Sequence, residues 1–373
     1  METADNHVHF FAIVNSLMAT LFLCATVAVI MIRALRKDIA EYNLEDDELS
    51  VDESGWKQLH GDVFRPPARG LTILSVAAGT GSQVGTSVIV TLLCAVLKIL
   101  NSMKKGQILT AIVALYVLSG SVAGYVSARL YKYFDGKAWK RTTLLTAAAF
   151  PGVILTIFMM LNVILSYRGA SSAVSIWTIL QIFLLWVCVS IPLVLFGAVL
   201  GYRSEKIQVP TKTNLISRII PMQGSRFLRL PHSAIIGGIL PFGSVVIELY
   251  FIMGALWLHQ LYYIMGFILA VCIILTVNCA TVSMVMCYFQ LYNEDYRWWW
   301  KSFWNCAAAG FYLFSYAIWY LSSKLDLVGP LPIMVYLCYM GMISFAFSLY
   351  CGTVGLLSSF WFCRKIYSAI KVD

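Results

Sequence analysis

Residues 234–291 read AIIGGILPFGSVVIELYFIMGALWLHQLYYIMGFILAVCIILTVNCATVSMVMCYFQL, a run in which Glu248 is the single Asp, Glu, Lys or Arg. A helix of about 20 apolar residues already crosses the roughly 30 Å hydrocarbon core of a bilayer. The run is therefore too long for one crossing, and we divide it near 257–261 into two spans. Each span must be helical, because the bilayer core offers no water to pair with backbone N–H and C=O groups.

The composition of the whole chain agrees with this pattern. Hydrophobic residues make up 60% of the 373 residues and charged residues only 12%, against about 45–50% and roughly 25% in soluble domains. The sequence therefore predicts an all-α polytopic membrane protein with about nine transmembrane helices. The predicted spans lie at 10–32, within 70–100, at 108–131, 143–167 and 174–202, as two spans within 234–291, and at 303–321 and 333–362.

The distribution of Lys and Arg predicts how the chain is oriented. Nine spans place the two termini on opposite sides, and basic residues collect in cytosolic loops. A lumenal N-terminus and a cytosolic C-terminus assign 22 of the 27 Lys and Arg residues to the cytosolic side. The net charge of +9 is then spread over five cytosolic segments, so nucleic acid is not an expected partner.

This topology divides the chain into five parts. The longest loop, 33–69, is acidic around 45–48 and then rich in aromatic residues, Gly and Pro over 55–67, where we expect it to dock on the cytosolic face. The other parts are a short lumenal N-terminus (1–9), the first transmembrane helix (10–32), an eight-helix transmembrane bundle (70–363) and a cytosolic tail (364–373).

Four polar residues are predicted to lie inside the membrane. An ionised Glu248 would carry a high free-energy cost inside the bilayer. It is therefore expected to be protonated, paired with another group or facing a water-filled cavity. One interpretation is a proton- or substrate-linked site. The other is a neutral acid that hydrogen-bonds to another helix, with Asn162, Gln181 and Asn278 as candidate partners. Those three amides are themselves more typical of hydrogen bonds between helices than of ligands.

Two features lie at a predicted cytosolic boundary. Trp298, Trp299 and Trp300 are expected to act as interfacial anchors, because Trp is enriched where a helix leaves the membrane. Cys363, at the edge of the last span, is a candidate for reversible palmitoylation, with a small apolar packing role as the alternative. Because nearly all ten cysteines fall inside spans, no disulfide framework is expected.

The remaining polar residues do not form a recognisable catalytic or metal-binding pattern. His7 and His9 are spaced as a pair, but no Cys or acidic cluster accompanies them. No Ser, His and Asp set or pair of carboxylates can be placed on one face. We therefore expect no metal, no cofactor and no enzyme activity.

The last three residues, KVD at 371–373, close a short basic segment that follows a predicted span. Lys371 offers an ammonium group, and Asp373 offers its side-chain carboxylate beside the terminal one. The single intervening residue separates the opposite charges by about 6–7 Å in an extended chain. A cytosolic partner with complementary pockets could read this pattern as an address.

Sequence motifs along the whole chain carry a family resemblance. They are HVHF (7–10), RKDIA (36–40), GDVFRPP (61–67), GYVSARLY (124–131), PTKTN (210–214), GGILPFG (237–243), EDYRWWWKSF (294–303), and KIY (365–367) with the final KVD. With these motifs the chain resembles the nonaspanins, the transmembrane nine superfamily.

The resemblance implies a Golgi and endosomal multispanning protein that supports the sorting and localisation of other membrane proteins in vesicle trafficking. It implies that Lys371 and Asp373 are bound by the COPI coatomer, and that cargo membrane proteins bind through the transmembrane helices. Two departures stand out. Family members carry a signal peptide and a large lumenal domain before the first span, whereas this sequence shows neither, so it is expected to be a fragment, an incomplete gene product or a shortened family member. Thr281 also stands where the family pattern has an acidic residue.

Three classes of function therefore remain open from sequence. The resemblance and the tail favour a trafficking protein. A transporter or channel with a polar site near Glu248 is the alternative. An intramembrane enzyme is the third, and it would need a second catalytic group within about 3–4 Å of the first, which the sequence does not offer.

Overall fold

The structure is a computed structural model that describes residues 2–44, 55–100, 105–169, 173–220, 227, 229–246, 248–249, 261–325 and 329–370. Within these ranges the chain forms helices and no strand. The helices are α1 (Glu2–Leu44), α2 (Leu71–Val96), α3 (Lys105–Leu118), α4 (Gly120–Tyr133), α5 (Trp139–Tyr167), α6 (Ile176–Leu185), α7 (Ile191–Arg203), α8 (His232–Gly243), α9 (Leu261–Tyr292), α10 (Trp298–Lys324) and α11 (Pro330–Tyr367).

The all-α membrane fold predicted from the sequence is confirmed. Seven segments of the described ranges are helices long and apolar enough to cross a bilayer. They are Met18–Ala40, Leu71–Val96, Thr110–Tyr133, Trp139–Tyr167, Ile176–Arg203, Met265–Tyr292 and Pro330–Tyr367. The other two predicted spans fall on α8, a shorter apolar helix, and on α10. Helix α10 is 27 residues long but mixes Lys, Ser and Asn with its aromatic residues, and it packs closely on α8 and α11. The number of crossings and their orientation remain predictions.

Small residues bring neighbouring helices into backbone contact. The spacings Gly120/Gly124 and Gly197/Gly201 predict close packing, and the structure confirms it where α4 crosses α7. A Cβ atom on Gly124 would overlap the carbonyl oxygen of Val194, and one on Gly197 would overlap that of Ser121. Without a hydrophobic driving force between helices in lipid, this close van der Waals contact is a main source of helix association.

Two predicted spans contain an irregular turn along the helix. Between α3 and α4, the hydroxyl of Ser119 donates to the carbonyl oxygens of Leu115 (2.8 Å) and Tyr116 (2.9 Å). Between α6 and α7, the turn Trp186–Ser190 is a π-helix. It immediately precedes the start of α7, where Pro192 has no N–H to donate to the preceding turn. The widened turn accommodates this missing bond.

The largest cluster of buried apolar residues lies at one end of the bundle, where α4 and α9 end, α10 begins and α11 ends. Loop residues between 56 and 64 complete it. We call this the tail-bearing end, because α11 leads from it into residues 368–373. Helix α1 packs on α9 and, over residues 18–40, leaves most of its apolar surface uncovered.

Candidate functional site at the tail-bearing end

Residues 55–69, which we call the docked segment, fold onto the helix ends. Trp56, Leu59 and Val63 are fully buried and Phe64 nearly so. A 3₁₀ turn over Trp56–Leu59 and the bond from Val63 N to Leu59 O (2.9 Å) place these side chains on one face. The docking predicted from the aromatic and Gly/Pro composition is confirmed. That this face is cytosolic stays a prediction.

Asp62 is the polar centre of the docked segment. Its carboxylate is only 4% exposed and accepts bonds from Arg65 Nε (2.8 Å) and Nη2 (2.6 Å). Its other oxygen accepts the backbone N–H of Arg218 at 3.2 Å. The backbone N–H of Asn214 donates to Gly61 O at 2.8 Å, and a Cβ on Gly61 would overlap the Asn214 side chain. The loop 204–220 is thereby attached to the docked segment.

The three consecutive tryptophans at the start of α10 hold the docked segment through its backbone. Trp298 Nε1 donates to Val63 O at 2.8 Å, Trp299 Nε1 to Arg65 O at 2.9 Å, and Trp300 Nε1 to Arg69 O at 3.0 Å. These residues were expected to be membrane anchors. The rings of Trp298 and Trp299 are instead buried in protein, while that of Trp300 is half-buried. All three indole N–H groups find a carbonyl partner in the docked segment, as buried Trp N–H groups usually require a partner.

The base of the tail is fixed to the same segment. The Tyr367 hydroxyl donates to Trp56 O at 2.7 Å, and its ring meets the Trp56 ring edge-on with centroids 5.4 Å apart. Ile366 and Ile370 are also buried. Lys371 and Asp373 lie outside the described residues, so their role as a coat-binding pair stays a prediction.

The four intramembrane polar residues do not gather at one place. Asn162 bonds to the backbone of Val174 through both its oxygen and its nitrogen (2.7 and 3.1 Å). Asn278 accepts a bond from the Cys24 thiol at 2.7 Å, which is an interhelical contact between α1 and α9. Gln181 is exposed on α6.

Glu248 has none of the partners that the sequence suggested for it. It is 4% exposed, and its Oε2 has no hydrogen-bond partner among the described residues. Its neighbours Val245 and Leu249 pack into two separate apolar clusters. Thr281, at the position where the family pattern has an acid, donates to Val277 O of its own helix at 2.9 Å.

Cys363 is fully buried, with its sulfur 3.6 Å from that of Cys287. Palmitoylation needs an accessible thiol, so this burial argues against it in the conformation described. The small apolar packing role, which the sequence also allowed, fits the geometry. In the described ranges no group of three or more His, Cys, Asp or Glu could hold a metal ion.

Sequence analysis missed two features of this end. One is the pairing of Tyr367 with Trp56, which are far apart in the chain and carry no local signal of contact. The other is a basic cavity beside the tryptophans, lined by cations from three segments. The available signal for the cavity was the pair of arginines at 65 and 69, together with the Arg and Lys that flank the tryptophans at 297 and 301.

Comparison with known proteins found a matching family and several similar curated proteins. The model of the family "Endomembrane protein 70" matches residues 1–330. Transmembrane 9 superfamily member 10 of Arabidopsis thaliana is 44% identical over 371 residues, covering 99% of this chain and 58% of that protein. Transmembrane 9 superfamily member 2 of Homo sapiens is 43% identical over 368 residues (98% and 55%), and member 4 is 40% identical over 377 residues (100% and 58%). The chain thus spans 55–58% of the length of these relatives. No solved structure matches it.

Proposed function

We propose a trafficking function, and the premise is that this chain belongs to the Endomembrane protein 70 family, whose curated members carry the name Transmembrane 9 superfamily. The chain is a multispanning membrane protein whose apolar helices contact the bilayer. In the proposal it resides in Golgi and endosomal membranes and supports the sorting and localisation of other membrane proteins. The tail carries a Lys-x-Asp signal, Lys371 and Asp373, that the COPI coatomer binds.

The observation that supports this function most directly is the anchoring of the tail base. Tyr367 is 1% exposed, and its hydroxyl is bonded to the docked segment. Ile370, the residue immediately before Lys371, is buried as well. A signal that starts one residue after a fixed point loses less conformational entropy on binding than one on a long flexible linker.

Cargo binding is assigned to helices with uncovered apolar faces. On α1, the side chains of Met18, Phe22 and Leu23 are more than half exposed, and so is Ile30 one to two turns further along. A helix that packs mainly on α9 can accept another transmembrane helix on its opposite side without unpacking the bundle.

The test compares single changes in the tail of the full chain expressed in cells. Lys371→Ser, Asp373→Ser, or one added C-terminal residue should each move the protein from the Golgi towards endosomes or the cell surface. Each should weaken coatomer capture by about tenfold or more, the effect of losing one charge-assisted hydrogen bond. Lys365→Ser is the matched control, because it removes an exposed tail charge six residues before Lys371. Unchanged location and unchanged coatomer capture in all three tail variants would refute the proposal.

A second candidate function is a transporter or channel with a polar site near Glu248. The observation in its favour is the buried Oε2 atom that finds no partner among the described residues, since buried polar atoms are nearly always satisfied by structure or ligand. Proton-coupled uptake into proteoliposomes should be lost in Glu248→Gln while the variant stays folded. Equal flux in wild type and Glu248→Gln, or no flux above empty vesicles, excludes this candidate.

A further inference from the structure

A cavity of about 1340 Å³ opens at the tail-bearing end, between the docked segment, the end of α9, the start of α10 and the loop that precedes α8. This volume exceeds that of most small-molecule sites, which occupy roughly 300–1,000 Å³. The cavity is a concave, partly open site at the end of the helix bundle. Among the described residues, neither 364–370 nor Glu248 lines it.

The lining carries an excess of positive charge. The side chains of five cations reach it, and Asp295 is the only Asp or Glu among the described lining residues. Lys301 engages that carboxylate at 2.6 Å and Arg297 approaches it at 3.7 Å, so one acid is shared by two cations. The five cations are Arg65, Arg69, Arg229, Arg297 and Lys301. Arg65 is already paired with Asp62 at 2.6 Å, so the excess comes from the other four cations against one acid. A concave surface of this sign concentrates anions.

A buried amide beside the cavity has an unused donor. Gln290, near the end of α9, is among the lining residues and is 2% exposed. Its Nε2 has no hydrogen-bond partner in the described part of the chain. Buried amide groups are nearly always paired. A ligand oxygen in the cavity would satisfy this one.

Two helix N-termini also border the cavity. Leu71 begins α2, and α10 begins at Trp298, next to the lining residue Trp299. Neither helix has a side-chain cap, because the preceding residues, Gly70 and Arg297, make no capping bond. Uncapped N–H groups and the helix dipole both favour an anion at these positions.

An aromatic wall of the cavity is held rigidly. The Trp300 indole donates to Arg69 O, and its ring lies so close to Gly70 that a Cβ there would be 2.8 Å from it. Gly70 also has φ +74°, which disfavours other residues. A flat apolar wall beside clustered cations suits a ring-shaped polyol that carries charged groups.

From these observations we propose that the cavity binds a phosphorylated polyol, such as an inositol ring bearing phosphomonoester groups. The cations and helix N-termini hold the phosphates, Gln290 donates to one oxygen, and Trp300 covers the face of the ring. The cavity lies where α2 begins and α9 ends, at the level of lipid headgroups if these helices cross the bilayer. The ligand can therefore be a membrane lipid headgroup or a soluble phosphate ester of the same chemistry.

The experiment uses the full chain in nanodiscs of phosphatidylcholine. Binding is measured for a short-chain phosphatidylinositol bisphosphate, for soluble inositol trisphosphate and for inorganic phosphate. The double variant Arg69→Gln with Arg297→Gln should weaken binding of the first two probes by about tenfold or more. The matched control, Lys137→Gln with Arg141→Gln, removes two exposed charges that do not line the cavity. It should change affinity less than about threefold.

Gln290→Leu supplies a second, independent readout. It should weaken binding by about tenfold while leaving the unfolding temperature at or above that of wild type, because the lost donor has no protein partner. Tighter binding of the lipid than of inositol trisphosphate identifies the membrane as the source, and equal binding identifies a soluble ester. If both double variants weakened probe binding equally, the binding would depend only on diffuse surface charge, and the proposal would be overturned. Absence of binding for all three probes at about 1 mM would overturn it as well.

Discussion

The seam between α4 and α7 and the aromatic cluster at the tail-bearing end hold helices together in opposite ways. In the seam, Gly124 and Gly197 let the two backbones touch. At the tail-bearing end, Trp298 and Trp299 fill the space and donate to backbone carbonyls of the docked segment. The seam relies on the absence of side chains, whereas the cluster relies on their size.

The difference follows from the solvent around each region. Between helices in lipid, burying an apolar side chain gains little free energy, because the lipid tails are as apolar as the protein. The strength of helix association then depends on how closely the two backbones approach. At the end of the bundle the docked segment leaves water, and each buried aromatic ring then contributes through the hydrophobic effect. Four substitutions test this contrast, from the largest expected effect to the smallest.

Gly197→Leu should prevent α4 and α7 from assembling. The new side chain would start inside the Ser121 backbone, which cannot move aside, so the cost exceeds the roughly 1–3 kcal/mol usual for overpacking. Gly152→Leu is the control, because nothing lies within 4 Å of a Cβ there. Size-exclusion profiles in detergent should show loss of the monodisperse peak for the first variant alone. Similar profiles for both would mean that the seam is not tight.

Trp298→Ala should lower the free energy of unfolding by about 3–5 kcal/mol, the usual cost of removing a fully buried Trp. It also leaves Val63 O without its donor. Trp361→Ala is the comparison, because Trp361 is 61% exposed; it should cost under about 1 kcal/mol. Thermal unfolding of both proteins in one detergent measures the difference. If Trp361→Ala proves as costly, burial at the tail-bearing end is not what stabilises the cluster.

Tyr367→Phe should cost about 1–2 kcal/mol, because it keeps the ring and leaves Trp56 O without its hydroxyl donor. Tyr167→Phe, at a residue that is 89% exposed, should be neutral. Hydrogen exchange at 55–64 should rise in the first variant only. Unchanged exchange there would show that the bond does not tie the tail base to the docked segment.

Ser283→Ala should have the smallest effect. Its hydroxyl lies between α9 and α11, 2.8 Å from Gly355 O and 2.7 Å from the Ser359 hydroxyl. Hydrogen bonds between membrane helices average only about 0.6 kcal/mol in double-mutant cycles. Ser315→Ala, which removes a bond within a single helix (Ser315 Oγ to Phe311 O, 2.9 Å), is the reference. If Ser283→Ala lowered stability as much as Tyr367→Phe, the proposed difference between the lipid-embedded helices and the tail-bearing end would be contradicted.

The sequence alone determined the fold class and the position of nearly every helix. Runs of apolar residues have no stable alternative to helix in lipid, and this local rule locates spans without knowledge of their neighbours. It also predicted the close packing at Gly124 and Gly197, because the small-residue spacing is itself local. The docking of 55–67 followed from composition.

Only the tertiary structure decided which surfaces meet. Trp298 looks the same in sequence whether it faces lipid headgroups or the carbonyl of Val63, because a Trp at a helix end suits both. The sequence around Glu248 likewise gave no sign that Asn162 and Asn278 would bond elsewhere, or that Gln181 would be exposed. The basic cavity brings together cations from 65–69, 229 and 297–301. Their convergence depends on the order in which helices pack, and no local pattern of residues encodes that order.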